Sequence, residues 1–373
     1  MHFDTKAIHT ASQPDPSTGA VAPPIHLSTT FQRNAVDGQP AHGYSYVRDS
    51  NPTQDRLEET LAAIDSAQGA LAFGSGMAAA SAILQALPAG SHVVLPEDGY
   101  YAVRKLATDF FPRWGLTHDF VQTSDAEAVR RALRPETRVI WCETPSNPLM
   151  QIADIRALAK IAHGRNAILV ADGTFATPAL QRPIELGADV VMHSTTKYLG
   201  GHSDVQGGSV AFARRDALFE AVEHVRSIVG GVASPFNSWL ILRGIRSLPA
   251  RMRVHCENAA RVAEFLATHP RVEVTHYPGL SSHPGHQVAA TQMSAFGGML
   301  SFRVRGGARE ALAVTARVSL FTRATSLGGV ESLIEHRASS EGPGSRTPEN
   351  LLRCSIGLEH YEDLVEDLRQ ALA

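Results

Sequence analysis

Seven short, mostly apolar runs separated by helix-like segments constrain this chain more than any other feature. They are Ala70–Phe73, His92–Leu95, Thr117–Val121, Val139–Cys142, Ile168–Ala171, Val190–His193 and Ser209–Phe212. Runs of this length, without the polar alternation of a half-solvated strand, read as strands buried on both faces. Alternating with helices, they predict an α/β domain built on a mostly parallel seven-stranded sheet. Ligands in such sheets bind at the carboxyl ends of the strands. Polar loops follow most of these runs, so the chemistry is expected in those loops.

The flanks differ. Residues 1–55 are rich in Pro, Ser, Thr, Gln and Gly and read as an extended arm with a short helix at most. From Pro52, Leu57, Leu61 and Ile64 fall at helical spacing. The division expected is an arm over 1–55, an α/β domain over 56–248 and a smaller α+β domain over 249–373. In the last, Arg251–Thr268, Ala308–Val318 and Tyr361–Leu372 read as helices, and Gly298–Val304 and Leu351–Ile356 as strands.

Composition narrows the function classes. Thirty-four Lys and Arg stand against thirty-seven Asp and Glu, for a formal charge of −3. That balance gives no electrostatic case for a nucleic-acid binder. No stretch nears the roughly 20 apolar residues of a membrane span, and the first residues carry no secretory-type apolar run. Cys142, Cys256 and Cys354 are too far apart for a CxxC motif and odd in number, so buried free thiols and a reducing, cytoplasmic setting are expected. His283 and His286 lie in a Gly/Pro loop without acidic partners, a poor zinc site.

Three strand-end loops carry candidate chemistry. Phe73-Gly74-Ser75-Gly76-Met77 leads from a strand through glycines into an Ala-rich helix, whose first N–H groups can cradle a phosphate. The same spacing satisfies the dinucleotide pattern G-x-G-x-x-A, with Glu97 or Asp98 about 20 residues on, so a nicotinamide dehydrogenase is a rival. Asp172 ends a hydrophobic strand; it is either a turn residue or a fixed carboxylate for a cationic ring nitrogen. Lys197 follows the strand Val190–His193 and precedes Gly200 and Gly201, a placement that faces a lysine inward. Ser194 to Lys197 also matches S-x-x-K, but no KTG follows. A phosphate cradle, a buried Asp and an inward Lys together are what pyridoxal 5'-phosphate (PLP) requires.

Longer motifs carry a resemblance over nearly the whole chain. They include Tyr44-Ser45-Tyr46-Val47-Arg48, Gly74-Ser75-Gly76-Met77, Glu143-Thr144-Pro145-Ser146-Asn147-Pro148, and Asp172-Gly173-Thr174-Phe175. Further along stand Ser194-Thr195-Thr196-Lys197, Ser326-Leu327-Gly328-Gly329-Val330-Glu331-Ser332 and Arg353-Cys354-Ser355-Ile356-Gly357. In these the chain resembles the Cys/Met-metabolism, or transsulfuration, family of PLP enzymes of fold-type I (aspartate-aminotransferase-like). The resemblance implies Lys197 as the Schiff-base lysine and proton shuttle, and Asp172 on the pyridine nitrogen. It implies Ser75, Gly76, Met77, Ser194 and Thr196 around the phosphate, and Tyr46 and Arg48 reaching that phosphate from the neighbouring subunit. Tyr100 would stack on the ring and assist acid–base steps, and Asn147 would lie near the cofactor 3′-oxygen. Arg353, with Ser326 and Asn147, would hold the substrate α-carboxylate. A homo-oligomer is implied: an active dimer, assembled into a homotetramer.

Departures from the family pattern bear on specificity. Tyr100-Tyr101-Ala102-Val103 replaces Tyr-Gly-Gly-Thr, Gly173 stands where Asn is usual, and His336-Arg337 replaces His-Pro ahead of a shortened segment. Ser45 and Thr325 stand where γ-synthases and γ-lyases often carry acids. Leu327, where enterobacterial-type β-lyases carry Trp, leans towards γ-chemistry. The expected activity is a cystathionine γ-lyase-like elimination giving cysteine, 2-oxobutanoate and ammonia. Alternatives are γ-synthase-type replacement on an O-acyl-homoserine, a β- or methionine-type C–S lyase, and a catalytically dead relative used as a binding protein. The intact Lys197, Asp172 and Arg353 argue against the last.

Overall fold

The computed structural model describes residues 1–342 and 345–373. All seven runs are strands of one sheet: β1 (Gly69–Phe73), β2 (His92–Pro96), β3 (Thr117–Val121), β4 (Thr137–Glu143), β5 (Ile168–Asp172), β6 (Val190–His193) and β7 (Gly208–Phe212). Their spatial order is β1-β7-β6-β5-β4-β2-β3. The pairs β2–β3, β2–β4, β4–β5 and β5–β6 are parallel. β7 runs antiparallel to both its neighbours. β1 therefore points the same way as β4, β5 and β6, and their carboxyl ends share one edge of the sheet. That is where an open α/β sheet takes its ligands.

Burial follows strand position. β1, β2, β6 and β7 are buried at every residue, because helices cover both faces. β3 lies at the sheet margin and is half exposed, which suits its Thr117, His118 and Asp119. The helices start on capped residues. Asn51 accepts from the Thr53 N–H ahead of helix Pro52–Ile64, with Pro52 in the first turn. Ser75 does the same for Ala78 at helix Gly76–Gln85. Leu57, Leu61 and Ile64 are fully buried, as their spacing predicts. Each contributes about 1.5–3 kcal/mol relative to an exposed side chain.

A second sheet follows: β8 (Val272–His276), β9 (Met299–Val304), β10 (Thr322–Arg323), β11 (Leu333–His336) and β12 (Leu351–Ser355), in the order β10-β11-β12-β9-β8. Sequence patterning finds β9 and β12 and misses the other three. The 21-residue helix Leu248–Thr268 joins the two units. Its first half packs Leu248, Met252 and Cys256 into a core shared with Leu57 and Ile64. Its second half packs Ala259, Val262 and Leu266 into the core of the second sheet.

The arm contributes one short helix, Phe3–His9, which buries Ala7. Residues 12–50 are almost all exposed or half-buried. All three cysteines are buried and unpaired. Among the described residues, no helix is long and apolar enough to cross a membrane.

Candidate active site

The shared carboxyl edge opens onto a cavity of about 250 Å³ lined from both units. After β1, the chain turns through Gly74 and Ser75 into helix Gly76–Gln85. Ser75 Oγ takes the N–H of Ala78 at 3.0 Å. Helix geometry leaves the N–H groups of Gly76 and Met77 without intrahelical acceptors, and both residues line the cavity. Gly76 is required by close approach: a Cβ there would lie 2.9 Å from Ser194 Cβ.

β5 ends at Asp172, which is buried and accepts from the Thr174 N–H at 3.0 Å. Burial pushes its carboxyl above the ordinary aspartate value, against the hydrogen bonds of Thr174. Its register partner on β4 is Glu143, also buried. Burial and then the Asp172 charge hold Glu143 well above the usual carboxylate range. Glu143 Oε2 accepts the backbone N–H of Tyr100 at 2.7 Å and so fixes that residue at the cavity wall. Glu143 also lines an adjoining polar cavity of about 210 Å³ that contains Asp98, whose carboxyl burial pushes up to about 6.

β6 delivers Ser194, Thr196 and Lys197. Backbone bonds from Lys197 N–H to the Ser194 carbonyl and from Gly201 N–H to the Lys197 carbonyl lock the turn. Thr196 Oγ1 donates to the Gly207 carbonyl at 3.1 Å, so of the two hydroxyls Ser194 is the one without such a bond. Below this turn, buried His193 bonds Asp65 at 3.0 Å. A Cβ on residue 173 would lie 2.8 Å from His193 Cε1, which accounts for Gly173. The Lys197 ammonium donates to Ser326 Oγ at 2.6 Å. Burial, then the Arg353 guanidinium, pulls its pKa down to about 8; Glu335 opposes this and Arg337 adds to it.

The second sheet supplies the opposite wall. Arg353 on β12 faces Glu335, its register partner on β11. Arg353 Nη2 donates to Glu335 Oε2 at 2.5 Å and to the Ser326 carbonyl at 3.0 Å, and Nη1 donates to Asn147 Oδ1 at 2.9 Å. Arg337 donates from Nη1 to Glu335 Oε1 at 3.3 Å and from Nε to Glu341 at 3.2 Å. Arg337 lines the cavity and Glu335 does not.

The structure thus brings Ser75, Gly76, Met77, Tyr100, Asn147, Asp172, Ser194, Thr196, Lys197, Ser326 and Arg353 around one cavity. Tyr101 is not among its lining residues, which separates the two adjacent tyrosines. Tyr46 and Arg48 line no part of it; Arg48 donates to the Ser227 carbonyl at 2.8 Å. Sequence reasoning gave no role to Glu143, Glu335 or Arg337. For Glu335 the available signal was a charged residue inside the apolar run Leu333–His336.

The residues fit PLP. Two open N–H groups at a helix start suit a phosphate, a buried carboxyl suits a protonated ring nitrogen, whose positive charge would favour the ionised carboxylate, and a depressed lysine suits covalent attachment. Comparisons agree. The Cys/Met metabolism PLP-dependent enzyme family matches residues 4–373. A protein of Mycobacterium tuberculosis named cystathionine gamma-synthase is 49% identical over 99% of this chain and 96% of its own length. One of Coxiella burnetii named cystathionine beta-lyase is 43% identical over 100% and 98%. A crystal structure of metB from Corynebacterium glutamicum superposes with a TM-score of 0.97 at 45% identity, covering 100% of this chain and 98% of that one.

Proposed function

The chain belongs to the Cys/Met metabolism PLP-dependent enzymes and so to the transsulfuration enzymes, and from that membership we propose that it works at the γ-carbon of a sulfur amino acid or activated homoserine. With a thiol present it replaces the γ-substituent, as the name of its 49%-identical relatives suggests; with cystathionine alone it eliminates. The observation that carries this reading is the Lys197 amine, half-buried in the cavity wall, poised near pH 8 and held by Ser326.

β-Elimination needs one proton removed, from Cα. γ-Chemistry needs a second, from Cβ, so a base must serve two adjacent carbons. A lysine on a four-carbon stem reaches both, and an amine near pH 8 both accepts and returns protons at neutral pH. Leu327 lines the cavity without bulk that would crowd a longer substrate.

The remaining roles follow from contacts. Bound PLP supplies an electron-withdrawing ring that makes protons at Cα and Cβ removable. Asp172 would hold the ring-nitrogen proton, and Gly76, Met77 and Ser194 the phosphate. Arg353, braced by Asn147 and Glu335, would orient the α-carboxylate. Tyr100, anchored by Glu143, forms the wall on which the ring would rest. Tyr46 and Arg48, on the arm of residues 1–55, would complete the phosphate site of a neighbouring subunit.

Product analysis tests the reading. Cystathionine is expected to give cysteine and 2-oxobutanoate, and an O-acyl-homoserine with cysteine to give cystathionine. Pyruvate and homocysteine as the main products from cystathionine would overturn it in favour of β-elimination.

A further inference from the structure

Tyr46 and Arg48 lie on a turn, 46–50, that must be fixed on its own subunit before it can serve a neighbour. Within the turn, the N–H groups of Asp49 and Ser50 both bond the Tyr46 carbonyl. An isolated bridge ties Tyr46 to Thr30, itself an exposed residue of the arm. A firmer hold comes from the end of helix Ala217–Val229. Ser227 Oγ donates to Asp49 Oδ1 at 2.5 Å, and Arg48 Nη1 donates to the Ser227 carbonyl at 2.8 Å. Arg226 Nη2 donates to the Asp49 carbonyl at 3.4 Å.

Arg226 is only 2% exposed, so its guanidinium needs a counter-charge. Glu58, on helix Pro52–Ile64, supplies it: its Oε1 accepts from Arg226 Nη1. The same oxygen accepts the Ala72 N–H of β1 at 2.8 Å, two residues before Gly74 of the phosphate loop. One buried ion pair therefore touches two elements, the strand that leads to this subunit's phosphate loop and the turn offered to its neighbour. The strand has other support, because β1 pairs with β7 at five positions, Gly69 to Phe73. The turn has less, so it depends on the pair more.

We propose that Arg226, neutralised by Glu58, is a positioning residue for the neighbouring subunit's active site: it fixes the turn that carries Tyr46 and Arg48 and so sets their grip on that site's phosphate. The inference rests on the shared-site reading and names what holds the shared arm in place. Such a residue has a signature. Its loss damages the neighbour's site, while its own site works again beside a subunit whose arm is intact.

The test uses the double variant Arg226→Met/Glu58→Gln, which strands no buried charge. The glutamine amide oxygen still accepts the Ala72 N–H, so the contact with β1 stays. Holoenzyme of this variant is expected to release PLP about ten-fold faster than wild type, the scale of one charge-assisted contact. Its turnover without added PLP is expected to fall by about the same factor. It is then mixed in equal amounts with Lys197→Ala, whose arm is intact. After random exchange, each hybrid holds one site with Lys197 and an intact neighbouring arm, so activity should rise about five-fold over the unexchanged mixture. Activity that stays level places the effect of the pair inside its own subunit and overturns the inference, as does release of PLP at the wild-type rate. The mixture of Arg48→Ala with Lys197→Ala, run alongside, separates the two readings. Recovery there but not with the double variant overturns the inference alone; recovery in neither, with exchange demonstrated, overturns the shared site as well. Ser227→Ala decides the matter if the double variant does not fold, because it keeps the ion pair and removes the bond to Asp49. It is expected to release PLP about three-fold faster and to be rescued by the same partner; wild-type release or no rescue overturns the inference.

Discussion

Replacing Lys197 with alanine is expected to lower turnover by about ten-thousand-fold while leaving the protein folded. A positioned general acid–base group is worth about 10²–10⁴ in rate, and among the described residues Lys197 is also the one amine lining the cavity. The fold should survive because the turn is held by backbone bonds and by fully buried Tyr198, not by the lysine side chain. Loss of the amine leaves the Ser326 hydroxyl room for water. Borohydride treatment of wild-type holoenzyme should fix the cofactor on the peptide containing Lys197, and the variant should fix none. Attachment also depends on pH. Lys197 is charged below about 8 and neutral above it, and only the neutral amine attacks a carbonyl. The rate of cofactor capture by apoprotein should therefore rise through pH 8, two units or more below an ordinary lysine. Near-normal turnover in Lys197→Ala, or fixation on another residue, would refute the assignment.

Mixing two nearly inactive variants is expected to restore activity. Tyr46 and Arg48 line no part of their own cavity, and the surrounding arm is largely exposed. Arg48 instead lies by Ser227 and Gly230, next to the segment whose Gly231 carbonyl takes the Gly74 N–H. If the arm serves a neighbour, a hybrid of Arg48→Ala and Lys197→Ala subunits contains one doubly defective site and one intact site. After random exchange of equal amounts, half the dimers are hybrids, so about a quarter of all sites should work. Demonstrated subunit exchange without returning activity would rule out the shared site.

The α/β sheet was legible because strands buried on both faces read as mostly apolar runs; β1, β2, β6 and β7 are buried at every position. The edge strand β8 was not. Val272-Glu273-Val274-Thr275-His276 alternates burial irregularly across a register shift with β9, so no clean period exists to read. β11 was missed because Glu335 and His336 look like surface residues until their partners are known. Asp172 and Lys197 were legible as polar residues directly after apolar strands. Glu335 and Arg337 were not, because their neutralisation depends on the pairing of Glu335 with Arg353 across two strands. The two adjacent tyrosines could be separated only by the helix that starts at Tyr101, which places Tyr100 at its cap and against Glu143.

The claim that a single base works at both Cα and Cβ is tested most directly by hydrogen exchange in an amino acid that cannot react further. Holoenzyme is incubated with L-norvaline in deuterium oxide and followed by proton magnetic resonance. Removal of protons from both carbons by Lys197 predicts loss of the Cα signal together with loss of the Cβ signals, and neither loss in Lys197→Ala. Exchange confined to Cα, with the Cβ signals intact over the same period, would contradict action at the γ-carbon.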